Sequence, residues 1–311
     1  MSIRGVVSPG SHPDNAGNAI RLRCPECLQP LAPAGEGRLC PAGHRYGRDD
    51  NGVLVLLTAA LASELAGFTA ALSRIRAAEG RRLLDPAAYP LLPFGPTVAA
   101  DPQWGLRRRD WGLVRRLVPP RPALTILDVG AWNGWLSHRL AAQGHVVVAV
   151  DYFADPYDGL GAIRHYPPGR DGRPLWEAIQ MDLLDLAVLD DPFDLVILNR
   201  CLQFQPDPAA FVRVALAKLK PGGRLLALGL EFFARSADGA ARVEAEQRRY
   251  RETYGFELFL RPTRGYLDRP DLAALRALGM RFYGYRPWLP AGIWWRRGRP
   301  WPAYGVLKVA A

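Results

Sequence analysis

From Leu124 to Asp151 the chain alternates between short apolar runs and polar punctuation. Leu124-Thr-Ile-Leu127 is a compact β-prone run, long enough for a buried parallel strand. Asp128-Val-Gly-Ala-Trp-Asn-Gly134 breaks it as a glycine turn. Trp135 to Gln143 has helical spacing and Gly144 ends it. Val146 to Val150 is a second apolar run, closed by Asp151. This reads as one βαβ unit whose acidic residue stands about 20 positions after the glycines, where nucleotide-binding folds grip a ribose.

The same reading extends outward. Leu65, Phe68, Leu72 and Ile75 recur at three and four, predicting a helix over Leu61 to Arg82. A second helix is predicted over Trp104 to Leu117, carrying Arg107, Arg108, Arg109, Arg115 and Arg116. Leu175 to Ile179 and Phe193 to Asn199 read as further strands, and Pro208 to Leu219 as a helix. Lys220-Pro-Gly-Gly reverses the chain into a fifth strand; helices over Gly239 to Tyr254 and Pro270 to Leu278 follow. Arg281 to Tyr285 and Tyr304 to Val309 close the pattern as antiparallel strands. Repeated strand–helix alternation predicts an α/β fold with a largely parallel sheet.

Near the N-terminus the pattern is different. Cys24-Pro-Glu-Cys27 is followed by Cys40-Pro-Ala-Gly-His44, a thiolate pair and a Cys–His pair at the spacing of a tetrahedral Cys₃His zinc site. A unit over residues 21–57 is too small to bury a sufficient core, so a structural Zn²⁺ would supply folding free energy. A disulfide is the alternative, disfavoured in a reducing compartment. Tyr46 to Leu57 reads as the strand that closes this unit.

Composition adds bounds. The 311 residues are 49% apolar, enough for one mid-sized domain and a small one. Val53 to Leu72 is interrupted by Glu64 and Gly67, so no membrane span is predicted. Met1 to Asn18 lacks an apolar core for a signal peptide and is predicted to be a disordered tail. The expected location is the cytoplasm. The net charge of +10 is unevenly placed. Residues 122–235 carry 10 basic and 13 acidic groups, whereas residues 236–311 carry 14 and 7. Basic flanks around an acidic core fit an enzyme acting on a polyanion such as RNA. The bland alternative is compositional, because only Lys218, Lys220 and Lys308 are lysine. Trp288 to Pro302, with four tryptophans among arginines, reads either as a base-stacking surface or as a hydrophobic cap.

An acidic residue opening the turn repels a pyrophosphate and suits a ligand with an amino group and a sulfonium. Asp128-x-Gly130-x-x-x-Gly134 resembles motif I of the class I S-adenosylmethionine (SAM) methyltransferases, with Trp132 where the middle glycine usually stands. Lys220-Pro-Gly-Gly-x-Leu is also methyltransferase-like. The Cys/His unit, followed by Tyr46 and Asn51-Gly52-Val-Leu-Val-Leu56, resembles the zinc-binding N-terminus of the bacterial large-subunit ribosomal RNA guanine-N1 methyltransferases. Asp128 to Ser137 and Asp158-Gly-Leu-Gly-Ala-Ile-Arg-His-Tyr166 resemble a group of bacterial proteins that join a zinc ribbon to a SAM methyltransferase domain.

The resemblance implies a Rossmann-like, seven-stranded SAM methyltransferase fold over residues 122–311. A zinc ribbon precedes it over 21–57 and a helical linker or lid over 58–121, after the tail over 1–20. It implies cofactor contacts from Asp128, Gly130, Ala131, Trp132, Asn133 and Gly134 at the turn. Asp151 and Tyr152 would hold ribose and adenine, and Asp182 and Leu183 the adenine edge. Asn199, at the end of the fourth strand, would face the sulfonium. Asn199, His165 and Tyr166 are the candidates to position or deprotonate an acceptor, while Cys201 reads as a small buried hydrophobe. Cys24, Cys27, Cys40 and His44 are the metal ligands. Three readings follow: methyl transfer to an RNA base, methyl transfer to a small molecule with the ribbon as a structural module, or a zinc-ribbon binding module whose SAM site has degenerated at Trp132.

Overall fold

The computed structural model describes residues 20–310. The expected tail over Met1 to Asn18 lies outside them.

Four short strands form a first sheet: β1 (Leu22–Arg23), β2 (Pro30–Ala34), β3 (Gly37–Leu39) and β4 (Arg45–Tyr46), antiparallel in sequence order. The next strand, β5 (Leu54–Leu56), leaves this unit. It does not close the ribbon as the sequence predicts. It pairs in parallel with a strand of the large sheet, Leu54 opposite Ile179. The reason is its content: Leu54 and Leu56 are buried in the main core, which offers more apolar surface than the small unit can.

The large sheet contains nine strands among the described residues. Its members are β5, β6 (Thr125–Val129), β7 (Val146–Asp151), β8 (Glu177–Met181), β9 (Phe193–Asn199), β10 (Leu219–Phe233), β11 (Leu267–Asp268), β12 (Arg281–Gly284) and β13 (Trp301–Lys308). Along the sheet the order is β12-β13-β10-β9-β6-β7-β8-β5, with β11 beside the end of β10. Strands β5 to β10 run parallel, and β13 is antiparallel to both β10 and β12. The expected seven strands are thus extended by β5 and β11.

Among the described residues seven α-helices accompany the sheet: α1 (Ala59–Ala78), α2 (Pro102–Leu117), α3 (Trp135–Ala141), α4 (Pro208–Leu216), α5 (Ser236–Tyr254), α6 (Arg269–Ala277) and α7 (Ala291–Arg296). Their starts are written in the sequence. Asp101, Asp207 and Asp268 each accept backbone N–H bonds at a helix start that carries proline in its first turn. Adjacent strand residues face opposite layers, so Leu127 and Val129 pack towards α4 and α6 while Ile126 packs towards α2 and α3. A strand buried on both faces reads as continuously apolar, which is why β6, β7 and β9 were legible.

The tryptophan-rich stretch resolves mostly as a cap. Trp301 is buried in β13, and Trp295 Nε1 donates to the Phe232 carbonyl at 2.9 Å. Trp288 is the exception, 73% exposed. No helix among the described residues is long and apolar enough to cross a membrane.

Candidate functional site

Strands β6, β7 and β9 end at one cavity of about 660 Å³, at the point where β6 is flanked by β7 on one side and β9 on the other. This is the switch point at which doubly wound sheets place ligands. Its floor is the turn after β6. Gly130 takes a left-handed φ of 75°, and a Cβ there would meet Cys201 Cβ at 2.7 Å. Gly134 caps α3, also at φ 75°, and a side chain would collide with the Trp176 indole. Trp132, where motif I usually has glycine, takes a left-handed φ of 53°, a region that favours glycine. An L-residue there costs about 1–2 kcal/mol, so its surroundings hold it.

Those surroundings are specific. The Trp132 N–H donates to Asp151 Oδ2 at 2.9 Å. Its Nε1 donates to Asp158 Oδ1 at 2.8 Å, and its ring stacks on Trp104 from α2 at 5.3 Å between centroids. Asp158 also accepts from Arg76 Nε and, at 3.1 Å, from Arg76 Nη2 of α1. A side chain that stands in for a glycine therefore ties the turn to two helices outside the sheet.

Asp151 closes β7 and its carboxylate lines the cavity. Each of its oxygens accepts one backbone N–H, from Phe153 and from Trp132, leaving lone pairs that can accept hydroxyls. Burial pushes its carboxyl up to about 6 against those hydrogen bonds. Asp128 stands at the end of β6 behind the turn. Burial raises it to about 7, opposed by hydrogen bonds from Ser137 and Asn199. Ser137 Oγ donates to Asp128 Oδ2 at 2.7 Å, while Asp128 Oδ1 is buried with no partner among the described residues. Asp128 is fully buried beneath the turn and does not line the cavity; the Asn199 side chain beside it does.

Tyr152, Leu183 and Asn199 line the same cavity, as does Asp182, which accepts from Arg261 Nη1 at 2.6 Å. Asp128, Ala131, Asn133 and Gly134 are not among the lining residues; Asp128 and Asn133 are buried, and the Asn133 carbonyl accepts from Tyr166 Oη at 3.0 Å. Two expected acceptor-side candidates lie elsewhere. His165 Nε2 contacts the Pro156 carbonyl at 2.9 Å, and its ring packs on Tyr89 and Tyr157. Tyr166 is buried behind the turn, against His138. Loops after strands can turn inwards or away, and these residues turn away, towards Tyr89 and, for Tyr166, towards His138 of α3. Cys201 lines the cavity, and burial pushes its thiol up, as expected of a hydrophobe and not of a nucleophile.

Sequence reasoning missed the part of the roof made by α5 and the stretch 258–266, while the part from α1 and α2 falls in the stretch read as a linker or lid. Leu61, Leu72 and Arg76 of α1, Arg107 of α2, Tyr250 of α5 and the stretch 258–266 enclose the cavity. The two roof helices are joined: Arg249 and Tyr250 bond the Glu79 carboxylate, and Ile75 packs on Tyr250 and Phe256. The arginine content of α5 was the available signal, read as a surface property. In the fold those arginines face carboxylates, Arg242 with Glu231, Arg248 with Glu244 and Arg251 with Glu257.

In the N-terminal unit the Cys24, Cys27, Cys40 and His44 donor atoms all lie within 4.8 Å of one another. Cys27 and Cys40 Sγ are 3.7 Å apart, and His44 Nδ1 is 3.4 Å from both Cys24 and Cys40 Sγ. Tetrahedral Zn–S bonds of about 2.3 Å require S···S edges of about 3.8 Å, so the cluster fits such an ion. The unit is clamped to the large domain. Arg21 pairs with Asp191, Arg23 with Asp190, and Leu22 bridges Leu189.

A family model for a methyltransferase domain matches residues 105–267, from within α2 to the start of β11. The ubiquinone biosynthesis O-methyltransferase of Xylella fastidiosa is 33% identical over 175 residues, covering 54% of this chain and 68% of that protein. The 27-O-demethylrifamycin SV methyltransferase of Amycolatopsis mediterranei is 32% identical over 136 residues, 44% of this chain and 48% of that one. Among solved structures, phosphoethanolamine N-methyltransferase 2 of Haemonchus contortus, bound to SAM, aligns with a TM-score of 0.43 and 13% identity over 66% of this chain and 53% of that one.

Proposed function

The chain belongs to the methyltransferase-domain family, and on that premise we propose that it transfers the methyl group of SAM to a small-molecule acceptor enclosed between the sheet and the α1–α5 roof. The observation that carries this reading is the convergence of Gly130, Trp132, Asp151 and Asn199 on one cavity at the switch point, with Trp132 preserving a glycine-like turn. When bound, SAM supplies an electrophilic methyl group on a sulfonium. The protein aligns that group with a nucleophile and keeps water out.

Asp151 and Tyr152 would hold the ribose and adenine, and Asp182 and Leu183 the adenine edge. Asp128, buried beneath the turn, would favour the cationic end by its charge without touching it, and Asn199 would stand between cofactor and acceptor. No group placed in the cavity is required as a base if the acceptor is already nucleophilic. The degenerate-site reading loses its motive, because Trp132 adopts the conformation the turn needs.

Three observations support a small acceptor over RNA. The cavity is roofed by α1 and α5. The α5 arginines named above are neutralised within the chain. The relatives bear the names of quinone and antibiotic methyltransferases. We also propose that Cys24, Cys27, Cys40 and His44 bind one structural Zn²⁺, because four protein donors leave no open coordination position. The zinc unit would then be a clamp that delivers β5 to the sheet.

The test is incubation of the purified protein with methyl-labelled SAM and separated small-molecule and RNA fractions of a host lysate lacking the enzyme. Label in the small-molecule fraction is the expected result. Label confined to RNA would overturn the acceptor assignment, and absence of SAM binding by calorimetry would overturn the reaction.

A further inference from the structure

Six arginines line the cavity. Five of them face carboxylates: Arg76 with Asp158, Arg81 with Glu79, Arg200 with Asp110, Arg242 with Glu231 and Arg261 with Asp182. Arg107 forms no ion pair among the described residues; its one hydrogen bond runs from Nη1 to the Gln103 carbonyl at 2.9 Å. Its guanidinium lies flat on an aromatic platform, 4.5 Å from the Trp132 ring centroid and 5.5 Å from that of Trp104.

This is a costly arrangement for a cation. Burial holds Arg107 down to about 10, and the like charges of Arg200 and Arg76 add to the effect. At neutral pH it is still protonated. Stacking on tryptophan stabilises the face of the guanidinium, and with Nη1 bonded to Gln103, the planar fork of Nε and Nη2 is left without a hydrogen bond among the described residues. Forks of this kind match carboxylates and phosphates two bonds at a time.

SAM carries a sulfonium, an ammonium and one carboxylate, so its arrival adds a net positive charge. Asp151 and Glu246 also line the cavity without an ion pair among the described residues, and can offset that charge. Neither is bonded to Arg107, whose one hydrogen bond goes to a backbone carbonyl, so its donors remain open to an anion on the other ligand. We propose that Arg107 anchors an anionic group, a carboxylate or a phosphate, on the methyl acceptor. The assignment rests on the methyl-transfer reading above and narrows its substrate class to acids. The Trp132–Arg107 stack places that anchor against the cofactor turn, so the same indole shapes both halves of the site.

The experiment uses the full chain loaded with S-adenosylhomocysteine and inorganic phosphate as the probe, titrated by calorimetry. Phosphate is expected to bind the wild type and to bind Arg107→Gln at least tenfold more weakly, with Arg107→Lys between them. Removal of an unpaired buried cation is expected to leave the melting temperature unchanged or raised. Four results would overturn the proposal. The first two are no binding of phosphate to the loaded wild type and equal binding to Arg107→Gln. The third is a fall in the melting temperature of Arg107→Gln, which marks a structural prop. The fourth is competition of phosphate with SAM while Arg107→Gln weakens SAM tenfold, which assigns the anchor to the cofactor's own carboxylate. Failure of S-adenosylhomocysteine to bind at all would be seen separately and would sink the parent reading.

Discussion

Replacing Trp132 with glycine separates what the backbone of the turn does from what the indole does. Glycine relieves the left-handed backbone at φ 53°, a gain of about 1–2 kcal/mol. It also frees the unfolded chain, which costs about 0.5–1 kcal/mol, so the two backbone effects nearly cancel. The indole is half-buried between Trp104 and Arg107. Truncating a fully buried tryptophan costs about 3–5 kcal/mol, so half of that, about 2 kcal/mol, is expected. Loss of the Nε1 bond to Asp158 adds about 1 kcal/mol, at the low end because Arg76 still satisfies that carboxylate. The sum is a destabilisation of about 2–3 kcal/mol, or a fall in melting temperature of about 5–10 °C for a domain of this size. Circular dichroism is the assay, since the change removes a fluorophore. Trp132→Phe keeps a ring and should cost about 1 kcal/mol, isolating the hydrogen bond. SAM affinity should change little in Trp132→Gly, because the residue 132 N–H still reaches Asp151. A melting temperature that stays level or rises in Trp132→Gly would refute the claim that the indole latches the turn to α1 and α2.

Asp110 accepts two bonds from Arg200 and one from Tyr285 while fully buried, so Asp110→Ala should destabilise by about 3–5 kcal/mol in urea titrations; a loss under 1 kcal/mol would show that α2 is not held by this pair. The raised carboxyls of Asp128 and Asp151 hold protons in the fold over a range where the unfolded chain has released them. Stability of the ligand-free protein should therefore fall as pH rises from about 4 towards 7. Over pH 6 to 8 the same ionisation should tighten SAM binding, measured by calorimetry, and Asp128→Asn should flatten that profile. Elemental analysis should find one zinc per chain, and a strong chelator should lower the melting temperature; metal-free protein with an unchanged transition would refute the clamp.

The residues that carried the sequence reading are those whose role is local. Asp151 and Asn199 end apolar runs, so strand periodicity alone put them at the mouth of the sheet. The helices after Asp101, Asp207 and Asp268 were read from spacing, and the capping aspartates before them are local signals that went unread. What the sequence hid is set by pairing across long separations. Leu54-Val-Leu56 has the same pattern whether it closes a ribbon or edges a nine-stranded sheet, and only the larger core decides. The strand expected from Leu175 begins at Glu177, because Trp176 is committed to packing over Gly134. His165 and Tyr166 follow strand β7 as read, but at the end of a short 3₁₀ helix, Leu160–His165, and nothing local told which way it faces. Trp132 looked like damage to a motif because a backbone angle is invisible in a one-letter code.

Strand β5 also fixes an order of events during synthesis. Leu54 leaves the ribosome long before Ile179, the residue it pairs with, and Ile179 is useful only once β6 and β7 have aligned beside it. Until then the N-terminal unit must persist alone, without the apolar surface that later buries Leu22, Cys24 and Tyr46. A metal that binds locally, between residues 24 and 44, needs no distant partner to do this. In a zinc-starved cell the nascent chain would present β5 and the unpaired edge of β8 as sticky, open strands. The defect would then surface as aggregation of newly made protein, while enzyme already folded would go on working.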